Sequence, residues 1–166
     1  MPVIHNADQI ENRIVLLLDA AAALSVPVIV SEQYPKGLGA SVDAIAQHQS
    51  PRRSFEKIRF SAAEEFQKLC ASDDADTSVD RRRQVVIVGI EAHICVLQTA
   101  IDLLAQGYRV FVVDDAVSSR RDSDRRTAMN RLRDAGVVIC SAESVVFEWC
   151  EKSGTDEFRV ISRLVR

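Results

Sequence analysis

The chain has 166 residues, a net charge of −3, an apolar share of 47% and a charged share of 27%. Those values fit one ordinary globular domain over residues 1–166 with a single substantial core, and the small negative charge argues against a nucleic-acid partner, which needs a concentrated positive face. No apolar run approaches the roughly 20 residues that cross a bilayer, and Met1 to Asn6 lack the basic start and apolar stretch of a secretion signal, so no membrane partner is expected and the cytoplasm is the expected location.

In chain order, Ile10, Ile14, Leu17, Leu18 and Ala21 recur at helical spacing and predict a helix over about 7–24. Asn6 stands in the capping position, with Gln9 three residues on as its partner. The β-branched run Val26-Pro27-Val28-Ile29-Val30 reads as a buried strand, its proline near the start because proline cannot donate to a ladder. Tyr34-Pro35-Lys36-Gly37-Leu38-Gly39 reads as a loop. Residues 55–60 look extended, and Ser61 with Glu64 predicts a capped helix over about 62–71. The polar stretch 72–83 is a surface connection.

The strongest strand is Gln84-Val85-Val86-Ile87-Val88-Gly89-Ile90, followed by a helix over about 93–106 that Gly107 stops. Arg109 to Val113 is the next buried strand, then a helix over about 123–135, a strand from Val137 to Cys140, a loop with a short helix to Trp149, and a final helix capped by Thr155. Apolar strands alternating with helices predict a three-layer α/β/α architecture around a mainly parallel sheet. Chemistry in such sheets gathers beyond the carboxyl ends of the strands, here 31–34, 89–95 and 114–120.

Of the four cysteines, Cys70, Cys95, Cys140 and Cys150, only Cys95 stands in a reactive context. No pair has CxxC or zinc-ligand spacing, and Cys140 reads as a small buried hydrophobe. Cys95 falls in the first turn of the helix after the strongest strand, where free backbone N–H groups and the helix dipole favour a negative charge. The thiolate is the nucleophilic form of cysteine, and the same N–H groups suit the oxyanion of an attacked carbonyl. Placement alone favours a buried helix cysteine, since free cysteine is among the most buried residue types. His5, His48 and His93 are too scattered for a metal cluster, and no cofactor is expected.

Four segments together resemble the isochorismatase-like cysteine hydrolases. Gly89 to Ala100 is similar to the family's nucleophile segment, Gly107 to Ala116 to its next strand with an acidic-alanine end, and Phe55 to Ser61 to the segment that bears its lysine. Ser31-Glu32-Gln33-Tyr34-Pro35-Lys36-Gly37-Leu38-Gly39 resembles the signature of one branch, the isochorismatase-domain-containing proteins. The resemblance implies Cys95 as nucleophile, Lys57 beside it holding the thiolate, a non-proline cis peptide at Ile90-Glu91, and an oxyanion hole from the backbone N–H groups of Glu91 and Cys95. It places Gln33, Tyr34 and Ala92 at the substrate pocket. The implied activity is hydrolysis of a C–N or related acyl bond of a small metabolite through a Cys thioester, in a homo-oligomer.

Two departures qualify the resemblance. The family's catalytic Asp ends a first strand in an apolar-run-then-Asp-x-Gln pattern, and the segment that follows it is matched by Pro2 to His5, so that Asp has no counterpart here; Asp8, Asp19 and Asp43 do not fit its place. Family nicotinamidases carry an Asp-x-His where this chain reads Ser31-Glu32-Gln33-Tyr34, so neither zinc nor nicotinamidase activity is expected. The alternatives that follow are a catalytically impaired scaffold protein and a redox-sensing thiol.

Overall fold

The computed structural model describes residues 3–50, 52–71 and 83–166. Helix α1 (Ala7–Ala23) buries the apolar stripe read from the sequence, with Ile10, Ile14, Leu17, Leu18 and Ala21 all buried. Its start differs from expectation: Asn6 is left-handed (φ 53°) and its side chain makes no cap, a conformation Asn tolerates better than most residues. Strand β1 (Val28–Gln33) begins after Pro27 and runs three residues further than predicted. The expected loop then contains one helical turn, α2 (Pro35–Leu38), and a second turn, α3 (Asp43–Ala46), follows.

Strand β2 (Arg52–Lys57) starts earlier than the extended segment read at 55–60, and α4 (Ala63–Ala71) follows. Ser61 Oγ accepts the Ala63 amide at 3.3 Å. Glu64, expected to close a capping box, pairs with Lys68 at 2.8 Å instead. The polar connection over 72–82 lies outside the described residues.

Strand β3 (Gln84–Ile90) leads into a π-helical turn (Ala92–Val96) and then α5 (Leu97–Ala105). Sequence periodicity reads these as one helix because a π turn shifts the register by a single residue. Gly107 takes φ 86° just past the end of α5, the left-handed conformation that glycine adopts without strain. Strand β4 (Arg109–Ser118) is twice the length expected. It is followed by α6 (Asp122–Asp134), β5 (Val138–Cys140), α7 (Ala142–Cys150) and α8 (Asp156–Leu164).

All the strand pairings are parallel, and they fall into two groups, β1 with β2 and β3 with β4 and β5. Helices cover both faces, giving the three layers. On one face α1, α7 and α8 enclose Val113 and Ala116 with Leu17, Val146 and Ile161. On the other, the π turn, α5 and α6 enclose Val110, Val112 and Val117 with Ala92, Leu103 and Leu132. The alternation of Val110 and Val112 against Val113 follows the two-residue period of a strand buried on both sides. Among the described residues no helix is long and apolar enough to cross a membrane.

The β3–β4 register slips between Ile87 and Gly89: Ile87 faces Val112, whereas Gly89 faces Val117. The extra residues of β4 include Asp114 and Asp115. Asp114 pairs with Arg125 at 2.8 Å, and Asp115 accepts the Ala142 amide at 2.8 Å while meeting Arg13 at 3.4 Å. This irregularity re-aims the end of β4, Ser118 and Ser119, toward the turn after β3.

Candidate active site

Three side chains named from the sequence meet at the carboxyl ends of β1, β2 and β3. Gln33 ends β1 and Lys57 ends β2, directly opposite each other in the register. Cys95 stands in the π turn after β3. Gln33 Oε1 accepts a hydrogen bond from Lys57 Nζ at 2.5 Å and lies 3.9 Å from Cys95 Sγ. Gln33 Nε2 donates to the Ile58 carbonyl at 2.7 Å, so its amide orientation follows from its partners: a cation on one side needs the oxygen, a carbonyl on the other needs the nitrogen.

Lys57 is not a surface lysine; it is 5% exposed. Its ammonium donates to Gln33 Oε1, to the Phe60 carbonyl at 2.7 Å and to the Arg59 carbonyl at 3.2 Å. Three neutral acceptors thus take its three protons, and among the described residues no carboxylate pairs with it. Burial lowers the Lys57 pKa from its usual value, and the neighbouring Cys95 sulfur opposes that shift by favouring the charged amine.

The turn around Cys95 is fixed by groups far away in sequence. The Ile90-Glu91 peptide is cis, as the resemblance implies. The Glu91 carbonyl accepts the amides of Ile94 at 3.1 Å and Val96 at 3.2 Å, passing over that of Cys95. The Glu91 carboxylate accepts the Arg120 amide at 2.9 Å and its Nε at 3.2 Å. His93 meets the fully buried Ser119 Oγ at 2.9 Å through Nδ1. Ser118 Oγ donates to the His5 carbonyl at 2.7 Å, and His5 N donates to the Ser119 carbonyl at 3.0 Å.

Arg120 and Arg125 make the contacts described above, Arg125 Nε also donating to the Val117 carbonyl at 3.1 Å. Ser119, Arg120 and Arg125 are the site-supporting residues that sequence reading missed. The strand end expected at 114–120 pointed toward Ser119 and Arg120 only.

The remaining pocket residues divide. Ala92 is fully buried at the head of the π turn and packs in the core cluster with Val96, Val110 and Val112. Tyr34 is 48% exposed, left-handed at φ 40°, and its amide donates to the Lys57 carbonyl at 2.9 Å. It stands at the rim with Ile58 and Phe60, both exposed. Among the described residues no three of His, Cys, Asp and Glu converge as a metal site would require. Asp19 is engaged by His48 at 3.0 Å, and Asp8 and Asp43 lie in the first turns of α1 and α3.

A buried lysine with a half-buried glutamine and cysteine beside it, at the strand ends of a parallel three-layer domain, places the chain in the class of three-layer α/β/α folds. Within that class the chain belongs to the isochorismatase family: the Isochorismatase domain matches residues 2–144. It is 38% identical over 154 residues to the secreted isochorismatase effector Isc1 of Phytophthora sojae, covering 90% of this chain and 71% of that protein. It is 37% identical to isochorismatase domain-containing protein 1 of Salmo salar, of which it spans 51%. Among solved structures, the MAR1 ribonuclease of Caenorhabditis elegans superposes with TM-score 0.88 at 35% identity, over 98% of this chain and 81% of that one. The nicotinamidase/pyrazinamidase PncA of Bacillus subtilis shares the fold at TM-score 0.62 and 20% identity.

Proposed function

We propose that the protein is a cysteine hydrolase that cleaves a C–N or related acyl bond of a small metabolite. The observation that carries this reading is the meeting of Cys95 Sγ, Gln33 Oε1 and Lys57 Nζ, with 3.9 Å and 2.5 Å between neighbours, at the end of a parallel sheet. Cys95 as thiolate attacks the carbonyl carbon. The backbone N–H groups of Glu91 and Cys95 receive the oxyanion; the Glu91 carbonyl taking the Ile94 and Val96 amides rather than that of Cys95 supports this role. The C–N bond breaks, the departing nitrogen takes a proton from Lys57, and a thioester remains on Cys95. Water then adds to the thioester, Lys57 regains a proton from it, and the acid leaves with the thiolate restored. The lowered Lys57 pKa suits this exchange, because a buried ammonium yields its proton more readily than a solvated one.

The test is turnover of an amide and ester library together with mass spectrometry of the intact protein. The expected result is an acyl adduct on Cys95 with at least one substrate, and loss of turnover by about 1,000-fold or more in Cys95→Ala. Turnover that survives Cys95→Ala, or no adduct from any acyl donor, overturns the reading. We carry forward a homo-oligomeric assembly and a cytoplasmic location as parts of the same proposal; light scattering and fractionation test them. The YcaC protein of Escherichia coli, an octameric hydrolase of unknown specificity, shows that this fold is compatible with assembly.

A second reading, RNA cleavage, is favoured by the ribonuclease activity in the name of the 35% identical C. elegans relative. The net charge of −3 and the engagement of Arg120 and Arg125 within the fold weigh against it. Incubation of the same preparation with labelled single-stranded RNA separates the two: cleavage that survives Cys95→Ala belongs to this second reading alone.

A further inference from the structure

The ladder between β3 and β4 ends on Ile90 and Ser118, which face each other. Beyond that pair the two strands leave the sheet side by side. β3 runs into Glu91 and the π turn of Cys95, and β4 runs into Ser119 and Arg120. Glu91 stands in the capping position of the turn, yet its side chain makes no cap there. The carboxylate reaches across instead and accepts the Arg120 amide at 2.9 Å, with Arg120 Nε 3.2 Å away. Two residues on, His93 Nδ1 meets Ser119 Oγ at 2.9 Å. Two side chains of the thiol turn are thus tied to two consecutive residues of one segment.

That segment is itself anchored. Ser118 and Ser119 are fully buried. Ser118 Oγ donates to the His5 carbonyl at 2.7 Å, and the Ser119 carbonyl accepts the His5 amide at 3.0 Å. A buried hydroxyl needs a partner, and Ser119 Oγ has His93. The Glu91 carboxylate is only 17% exposed, so water competes little for its bond to a backbone amide. The core also holds the turn, through Ala92 and Val96. Those contacts are apolar and carry no direction, whereas hydrogen bonds are directional. Packing therefore sets how deep the turn sits, and the two ties set which way its amides point.

We infer that Glu91, through its carboxylate, and His93 with Ser119 are positioning residues for the oxyanion hole. They act by aiming the backbone N–H groups of Glu91 and Cys95 and touch neither substrate nor sulfur. This rests on the hydrolase reading above, which supplies the oxyanion. An oxyanion-hole donor works only when it is preorganised toward the place where charge develops, and a misplacement of about 1 Å can cost about 100-fold in rate.

The test compares two reactions of one sulfur in the full chain. p-Nitrophenyl acetate acylates Cys95: an S–C bond forms, the carbonyl oxygen becomes an oxyanion, and the C–O bond then breaks to release p-nitrophenolate. Iodoacetamide alkylates it: an S–C bond forms at a saturated carbon as iodide leaves, and no oxyanion arises. The ratio of acylation to alkylation rate reports the hole and cancels a change in the thiolate fraction. In Glu91→Ala and in Ser119→Ala the ratio should fall by about tenfold or more. Glu91→Gln keeps an acceptor oxygen at the same reach without the charge, and its ratio should stay within about threefold of the parent. Ser119→Ala removes a single oxygen, so it supplies a folded chain for the measurement even where Glu91→Ala does not fold. A ratio within about twofold of the parent in Ser119→Ala, or in folded Glu91→Ala, overturns the assignment of that residue. A fall in Glu91→Gln as deep as in Glu91→Ala overturns the tie, since the charge and not the hydrogen bond would then be the cause. A parent that is not acylated at Cys95 removes the hydrolase reading itself, whereas an acylated parent with unchanged variants removes this inference alone.

Discussion

β3 and β4 are neighbours, parallel and similarly apolar, and they sit in different environments. β4 has β3 on one edge, β5 on the other and helices on both faces, so Val112, Val113, Ala116 and Val117 are fully buried. β3 has β4 on one edge only, and its side chains are half-buried at best. The lesson is that an apolar run states what a strand needs and not what it has. Burial of a central strand is supplied by its neighbours, and the contrast between two such similar runs follows from their partners among the described residues: two for β4, one for β3.

The largest expected effect tests that contrast directly. Val112→Asp puts an unpaired carboxylate into a fully buried position and should prevent folding, since an uncompensated buried charge costs several kcal/mol. Val86→Asp, on half-buried β3, should leave a folded protein and lose less than half as much stability in urea titration. Equal losses would mean that β3 is as enclosed as β4.

Next in size is a difference in thiol reactivity between the two strands' ends. Cys140 on β5 has its pKa raised to about 11, chiefly by burial and further by the carboxylates of Glu148, Asp115 and Asp114. A raised thiol pKa keeps the unreactive protonated form, so at pH 8 only about one Cys140 in 1,000 is thiolate. Iodoacetamide with peptide mass spectrometry should therefore label Cys95 far ahead of Cys140 at neutral pH. Labelling of Cys140 should rise about tenfold per pH unit up to pH 11 or so. Comparable rates at the two sites would remove the case for a reactive centre after β3.

A smaller effect is expected at Gln33, the link between the β1–β2 pair and the β3–β5 group. Gln33→Ala removes the oxygen shared by Lys57 and Cys95. Alkylation of Cys95 should change by about tenfold, the scale of one charge-assisted hydrogen bond, with a shift in melting temperature of only a few degrees. Gln33→Glu keeps an oxygen and adds a countercharge to Lys57, so it should stabilise the ammonium and raise the Lys57 pKa. An alkylation rate indifferent to both changes would mean that the three side chains are neighbours without coupling.

The same contrast separates what the sequence made legible. The layered α/β architecture, the buried stripe of α1 and the placing of Cys95 and Gln33 beyond strand ends could be read, because hydrophobic period and strand-turn-helix order are local signals, whereas the place of Lys57 beside them came from the family resemblance. The split of the strands into two groups could not, since edge pairing depends on the spatial order in which strands lie, which is not a local signal. Nor could the support of the turn by Arg120, Ser119 and His5, whose partners stand 29, 26 and 113 positions away. A charged residue with a distant partner looks the same in sequence as one facing water.

The smallest expected effects concern helix starts, where the amino-terminal and carboxyl-terminal parts also differ. Ser141 caps α7 with a reciprocal box, its Oγ accepting the Ser144 amide at 3.3 Å and Ser144 Oγ accepting the Ser141 amide at 3.2 Å. Thr155 caps α8 by accepting the Phe158 amide at 3.1 Å. At α1 the Asn6 side chain makes no such bond, so Gln9, exposed in the first turn, has no cap to complete. Ser141→Ala and Thr155→Ala should each cost about 1 kcal/mol, near 3 °C of melting temperature in a domain of this size. Gln9→Ala should stay within about 0.5 kcal/mol of the parent. A loss at Gln9 equal to that at Ser141 would show that α1 begins with the box read from its sequence and that the left-handed Asn6 is not its solution conformation.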